Sequence, residues 1–264
     1  NSTSSNYREV SIGIGNTTNQ TGVSIGVMNT NNYFTSVGFG FYNNDNRDNS
    51  AGIGISNSNQ RYAIAIGRGN QSNSGFYNSM KTIAIGINNV NNGKQDNLRG
   101  VGPMLAYGMD NSDNFSGEIY GSRNTGNNNA QIYGNDNTNV VVDRGGVYIY
   151  GTGGSAEKKI TNSSVSGGMQ YGKNNTTIDN GYTFGTTNTG RQGGYAFGAG
   201  NYSWLSGMAF GYDNTVTGDS NPTSSTEFPM AFGGDNTVTN GGIAFGENNT
   251  ASTRGIALGA NNTS

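Results

Sequence analysis

Along most of this chain, large apolar side chains alternate with small ones over short stretches, and each stretch closes on a glycine followed by polar residues. The closing Gly242–Ser264, GIAFGENNTASTRGIALGANNTS, shows the unit twice, repeated at 13 residues. With that glycine as anchor, the chain laid on itself gives 17 rungs. They are Gly15, Met28, Gly40, Ser56, Gly67, Gly86, Gly108, Gly121, Gly134, Gly151, Gly172, Gly185, Gly198, Gly211, Gly233, Gly246 and Gly259. Eight of the 16 intervals equal 13 and the others run from 11 to 22, a base coil with occasional insertions.

The columns say what a rung is. The residue before the anchor is always large: Ile14, Val27, Phe39, Ile55, Ile66 and Ile85, then tyrosines from Tyr107 to Tyr171, then phenylalanines from Phe184 to Phe245, and Leu258. Three before the anchor is mostly apolar, and between the two sits a small residue such as Gly13, Gly26, Ala65, Ala84, Ala209 or Ala257. Large–small–large is strand alternation with both large side chains on one face. Two short strands and two turns fit in 13 residues, so the pattern predicts an all-β chain, a parallel β-solenoid of about 17 coils. The repeat runs through residues 1–264 and predicts a single domain. Asn stands three after the anchor in 15 of 17 rungs. It suits a turn, because it tolerates left-handed φ, and stacked in register it suits an amide ladder.

Burying two large side chains per coil contributes about 1.5–3 kcal/mol apiece. Ordering the coil costs about 1–2 kcal/mol per residue in backbone entropy. So thin a roll is therefore expected to need a partner, and the small-residue column is where another backbone would approach. The prediction is a homotrimer or other close oligomer with that column at the subunit contact. The middle of the chain departs from the columns. Glu118 and Gln131 take the outer apolar position, Ile119, Ile132 and Ile149 replace the small residue, and Gln170 and Thr183 put polar groups there. Local repacking accounts for most of this; for Gln170 a sharper expectation is that three copies ring a water or anion on a threefold axis.

Composition narrows the chemistry. Charged residues are 11% of the chain and the net charge is −2, with no basic run, which argues against nucleic acid and against an electrostatic membrane contact. There is no His and no Cys, which removes the commonest general base, the commonest metal ligand and any thiol chemistry. The stretch NNDNRDN at Asn43–Asn49 lacks the closing bidentate Glu of a calcium loop, so neither metal nor cofactor is expected and the chain does not read as an enzyme. No signal peptide opens it and no apolar run is long enough for a membrane helix. It stops in mid-pattern and reads as a piece of something longer.

VSIGIGN at Val10–Asn16, TIAIGIN at Thr82–Asn88 and GIALGAN at Gly255–Asn261 resemble the SVAIG-type repeat of YadA-like heads in trimeric autotransporter adhesins. The resemblance covers nearly the whole chain. It implies a homotrimeric, left-handed parallel β-roll on the surface of a Gram-negative bacterium. It also implies a neck, stalk and outer-membrane anchor beyond this segment. It further implies attachment to a host ligand: collagen, fibronectin, or an immunoglobulin-like receptor such as a CEACAM. The chain departs from the family in its Asn after the anchor, its later aromatic rungs and its longer insertions. Solenoids carry function on insertions, and aromatic and Arg side chains dominate interface hot spots. The ligand-binding candidates are therefore Phe41, Tyr42, Arg47, Phe76, Tyr77, Trp204 and Phe228. A passive spacer and a phage fibre tip are the alternatives. An ice-binding solenoid needs a flat Thr ladder, and Thr215-Val216-Thr217 recurs only at Thr237-Val238-Thr239.

Overall fold

A computed structural model describes residues 8–18, 21–31, 35–45, 49–59, 62–74, 82–93, 104–113, 117–126, 130–139, 147–157, 168–218 and 228–264. Among them there are strands and no helix. The chain forms two compact units, Asn1–Tyr133 and Gly134–Ser264. In the first, long strands from Val10–Ile14 to Gly117–Ser122 each pair in parallel with the next. In the second, the same holds from Val147–Thr152 to Ile256–Ala260. Shorter strands such as Thr30–Asn31 and Thr215–Thr217 follow each long one but the last and stack likewise. Each unit is a parallel β-solenoid, with one long strand to a turn.

The register corrects three of the anchors read from sequence. Gly13, Gly26, Gly40, Gly54 and Gly67 are in line, so Gly15, Met28 and Ser56 lie two residues past the true anchors. A two-residue slip keeps the face and changes the column, which is why VSIGIG conceals it. The reason for the true register is steric. Anchor glycines have φ between 105° and 139°. A Cβ on one would lie 1.7–2.1 Å from the carbonyl oxygen of the next, wherever that contact is described. Only glycine stacks on glycine here. In all 17 rungs the residue two past the anchor has φ between 50° and 67°, the left-handed turn that bends the long strand into the short one. That position, not the asparagine after it, makes the turn.

Inside and outside are also the reverse of expectation. The small column is the interior of each coil: Ala65, Ala84, Ala106, Ala196, Ala209, Ala231 and Ala244 are all buried. It cannot be the subunit contact. The large column faces out, with Ile12 57% and Leu258 62% exposed. A coil of two short strands back to back has a lumen only as wide as methyls and amides, so the larger side chains take the other face. With the corrected anchors, Asn stands three past 16 of the 17 glycines, with Gly154 in the remaining rung. These asparagines form the expected amide ladder. Asn29 Nδ2 donates to the carbonyls of Ile25 and Gly40, and its Oδ1 accepts the Asn43 N–H at 3.1 Å.

Larger lumen residues are balanced across the coil. Ile119 is buried opposite Gly126, where a Cβ would sit 2.9 Å from Ile119 Cδ1. Ile119→Ala should therefore destabilise by about 2–4 kcal/mol, and adding Gly126→Ala should recover part of it; denaturant unfolding of the single and double variants checks the coupling. Towards the end of the second unit an apolar cluster lies in the lumen beside the asparagine ladder, with Val216 and Val238 packed among Ala209, Ala231, Ala244, Ala251 and Ala257.

Candidate functional site

The long strands display their larger side chains on an outer face. In the first unit Ile12, Ile25, Phe39, Ile53, Ile66, Ile85, Tyr107 and Tyr120 form one column in register. In the second, Tyr150, Tyr171, Phe184, Phe197, Phe210, Phe232 and Phe245 stack ring on ring, with centroids 4.7–5.3 Å apart. That spacing is the separation of paired strands, so the parallel register itself aligns the rings. A second column lies two residues earlier and includes Ile64, Ile83 and Leu105, then Met208, Met230 and Ile243. Contiguous exposed apolar surface of this kind marks an interaction face.

The short strands present a hydroxyl column instead. Thr176, Thr189, Tyr202, Thr215, Thr237 and Thr250 are in register. The sequence reading found no Thr ladder; the register supplies one, broken by Tyr202, which the recurrence of the Thr-Val-Thr triplet alone does not reveal. Trp204 closes the strand Tyr202–Trp204 and is half-buried. Its Nε1 donates to Gln192 Oε1 at 2.6 Å, and the Arg191 guanidinium lies 5.4 Å from its ring. It is thus engaged by its own roll.

Of the other sequence-predicted residues, Phe41 and Tyr42 come together. Phe41 ends a long strand on the outer face, in column with Val27 and Ile55, and is 51% exposed. Tyr42 occupies the left-handed turn at φ 55° and is 55% exposed. Phe228 is exposed beside the buried Pro229. Arg47, Phe76 and Tyr77 lie outside the described residues. Gln170 is buried inside its coil, where Nε2 donates to Thr177 Oγ1 at 2.7 Å. A side chain held inward there cannot ring a solvent on an axis between copies. What the sequence reading missed as a site is the outer apolar face itself, and the narrowness of a 13-residue coil was the available signal.

On the second unit's surface, Tyr212 lies across Gly234, and its hydroxyl donates to Glu247 Oε1 at 3.1 Å. The hydrogen bond and the charge of Glu247, with Asp235 and Asp213 beyond, hold its phenol above the usual tyrosine value. Glu247→Gln should bring the Tyr212 titration down, read by ring carbon shifts in an NMR pH series. Among the described residues no group of acidic side chains gathers as a metal site, and no helix is long and apolar enough to cross a membrane.

In each unit, fold and site together define a glycine-anchored parallel β-solenoid with an apolar outer face on its long strands. Compared with known proteins, the chain matches no family model, no curated protein and no solved structure.

Proposed function

We propose that this chain is the head of a trimeric surface adhesin, a left-handed β-roll that associates through the outer apolar face of its long strands. The carrying observation is that face: ordered columns of Ile, Tyr and Phe left partly or largely exposed by a single chain. The SVAIG-like repeat supports the same reading. In this account the protein is not an enzyme and needs no cofactor. It stands on a Gram-negative cell surface, anchored in the outer membrane through parts beyond this segment. It attaches to a host receptor, CEACAM-like or otherwise, or to a matrix protein. Three equivalent sites raise avidity where partner sites lie within reach.

Among the described candidates, Tyr42 is the residue to test. A bulky side chain at a left-handed turn is unfavourable, and 12 of the other 16 rungs use Gly, Asn or Asp there. Tyr42→Asn should leave stability unchanged or raise it by about 0.5 kcal/mol, while weakening ligand capture at least tenfold. Surface-immobilised collagen, fibronectin and immunoglobulin-like receptors probed with the assembled protein provide the measurement. Assembled protein that ignores every ligand and host cells would instead be a spacer, the reading that Trp204's engagement with Arg191 and Gln192 favours.

A further inference from the structure

The outer face is repetitive, and repetition creates a problem for any assembly made through it. Ile53, Ile66 and Ile85 succeed one another in one column, so a second copy displaced by one strand spacing would still set Ile against Ile. The same holds for Phe197, Phe210 and Phe232. Apolar packing hardly distinguishes the two registers. Something else must fix the alignment if copies are to present matched coils.

The two columns one and three residues before the anchors contain Glu118 as their one charged residue. Gln131 is their one amide, and the two occupy equivalent places in the strands Gly117–Ser122 and Ala130–Asn135. Around them the large column is tyrosine: Tyr107, Tyr120 and Tyr133, with the last two rings stacked at 4.9 Å. The Tyr133 hydroxyl reaches Glu118 Oε2 at 3.4 Å, a long contact that leaves the carboxylate room for further donors. Both Glu118 and Gln131 are half-buried on the outer face.

We infer that Glu118, Gln131 and the flanking tyrosine hydroxyls form a polar band that sets the register between copies of this chain on the outer face. The inference rests on the assembly proposed above. In register, the Tyr107, Tyr120 and Tyr133 hydroxyls and the Gln131 amide of adjoining copies stand at the height of the Glu118 carboxylate and supply its donors. Displaced by a rung, the Glu118 of one copy meets the level of Leu105 and loses the Gln131 amide and the Tyr133 hydroxyl of the adjoining copy, so a carboxylate is taken from water with fewer donors. A polar group in an apolar seam fixes register in coiled coils by the same physics. A second copy is the occupant because only a partner with the same rung spacing matches both the ladder and the band.

The cysteine-free chain allows a clean test. Copies carrying Ile66→Cys are refolded with copies carrying Ile85→Cys, oxidised, and the disulfides mapped by mass spectrometry. Ile66 and Ile85 are neighbours across one rung, and a disulfide spans only about 4.4–6.8 Å between Cα atoms. Like-with-like bridges should dominate. In the Glu118→Leu, Gln131→Leu background, mixed bridges should rise at least tenfold. A second set shifts the band instead: copies with Leu105→Glu, Glu118→Gln and Gln131→Leu, mixed with unshifted copies, should favour mixed bridges. Like-with-like bridges alone in both experiments, from protein that is folded by circular dichroism and associated by sedimentation, overturn the band. Folded monomer with no bridges would overturn the assembly itself, a distinct result.

Discussion

Gly198→Ala is expected to abolish folding of the second unit, although it adds only one methyl group. Gly198 has φ 117° and pairs with Gly211 in the adjacent strand. The new Cβ would stand 1.9 Å from the Gly211 carbonyl oxygen and 2.9 Å from its carbon. Both are backbone atoms of a hydrogen-bonded neighbour, so no rotamer relieves the clash, and the backbone conformation itself excludes an L side chain. The cost should be about 5 kcal/mol or more, at the extreme of single substitutions and comparable with the whole stability of many domains. Ala199→Val, one residue on and exposed, should change stability by no more than about 0.5 kcal/mol. Far-UV circular dichroism with denaturant unfolding compares them. A Gly198→Ala protein with the parent's midpoint would contradict the stacked-glycine geometry.

Asn201→Ala should be nearly as damaging, through hydrogen bonds instead of sterics. Asn201 is buried; its Nδ2 donates to the carbonyls of Phe197 at 2.9 Å and Gly211 at 2.8 Å. Its Oδ1 accepts the Asn214 N–H at 3.0 Å and the Asn214 side-chain amide at 2.9 Å. Each buried group left without its partner costs about 1–3 kcal/mol, so the loss should total about 3–5 kcal/mol, a magnitude seen when buried networks break. Asn201→Asp is the sharper probe. It turns two donated hydrogens into a carboxylate facing two carbonyls, so its charged form is disfavoured in the folded state and its pKa rises on folding. The penalty of Asn201→Asp should therefore shrink as pH falls towards the ordinary carboxylate range, whereas that of Asn201→Ala should not follow pH. Parallel unfolding series at neutral and acid pH separate the two.

These two columns also show what could be read from the chain alone. The period, the strand alternation and the stacking of Gly233 with Gly246 and Gly259 were legible because each is a local pattern repeated at a fixed interval. The side that faces inward was not. Alternation says that two faces differ, and the usual rule buries the larger side chains; here the lumen admits Ala209 and Asn201 and sends Phe197 and Phe210 outward. The first rungs misled for a related reason. VSIGIG offers two glycines two residues apart, and only the stacking of Gly13 on Gly26 shows that Gly15 belongs to the turn. Of the candidate site, Phe41 and Tyr42 were found from chemistry. The departures at Glu118 and Gln131 were legible too; that the Tyr133 hydroxyl reaches Glu118, and that Thr176, Thr189, Thr215, Thr237 and Thr250 share one column, needed the structure.

The central claim is that the outer apolar face joins copies of this chain, and sedimentation equilibrium tests it most directly. The protein should sediment at three times the chain mass at micromolar concentration. Phe197→Glu with Phe210→Glu, which places carboxylates in the face without touching the lumen, should sediment as a single chain or a strongly weakened assembly. A stable, folded monomer from the unaltered protein at those concentrations, or a trimer indifferent to both substitutions, would contradict it.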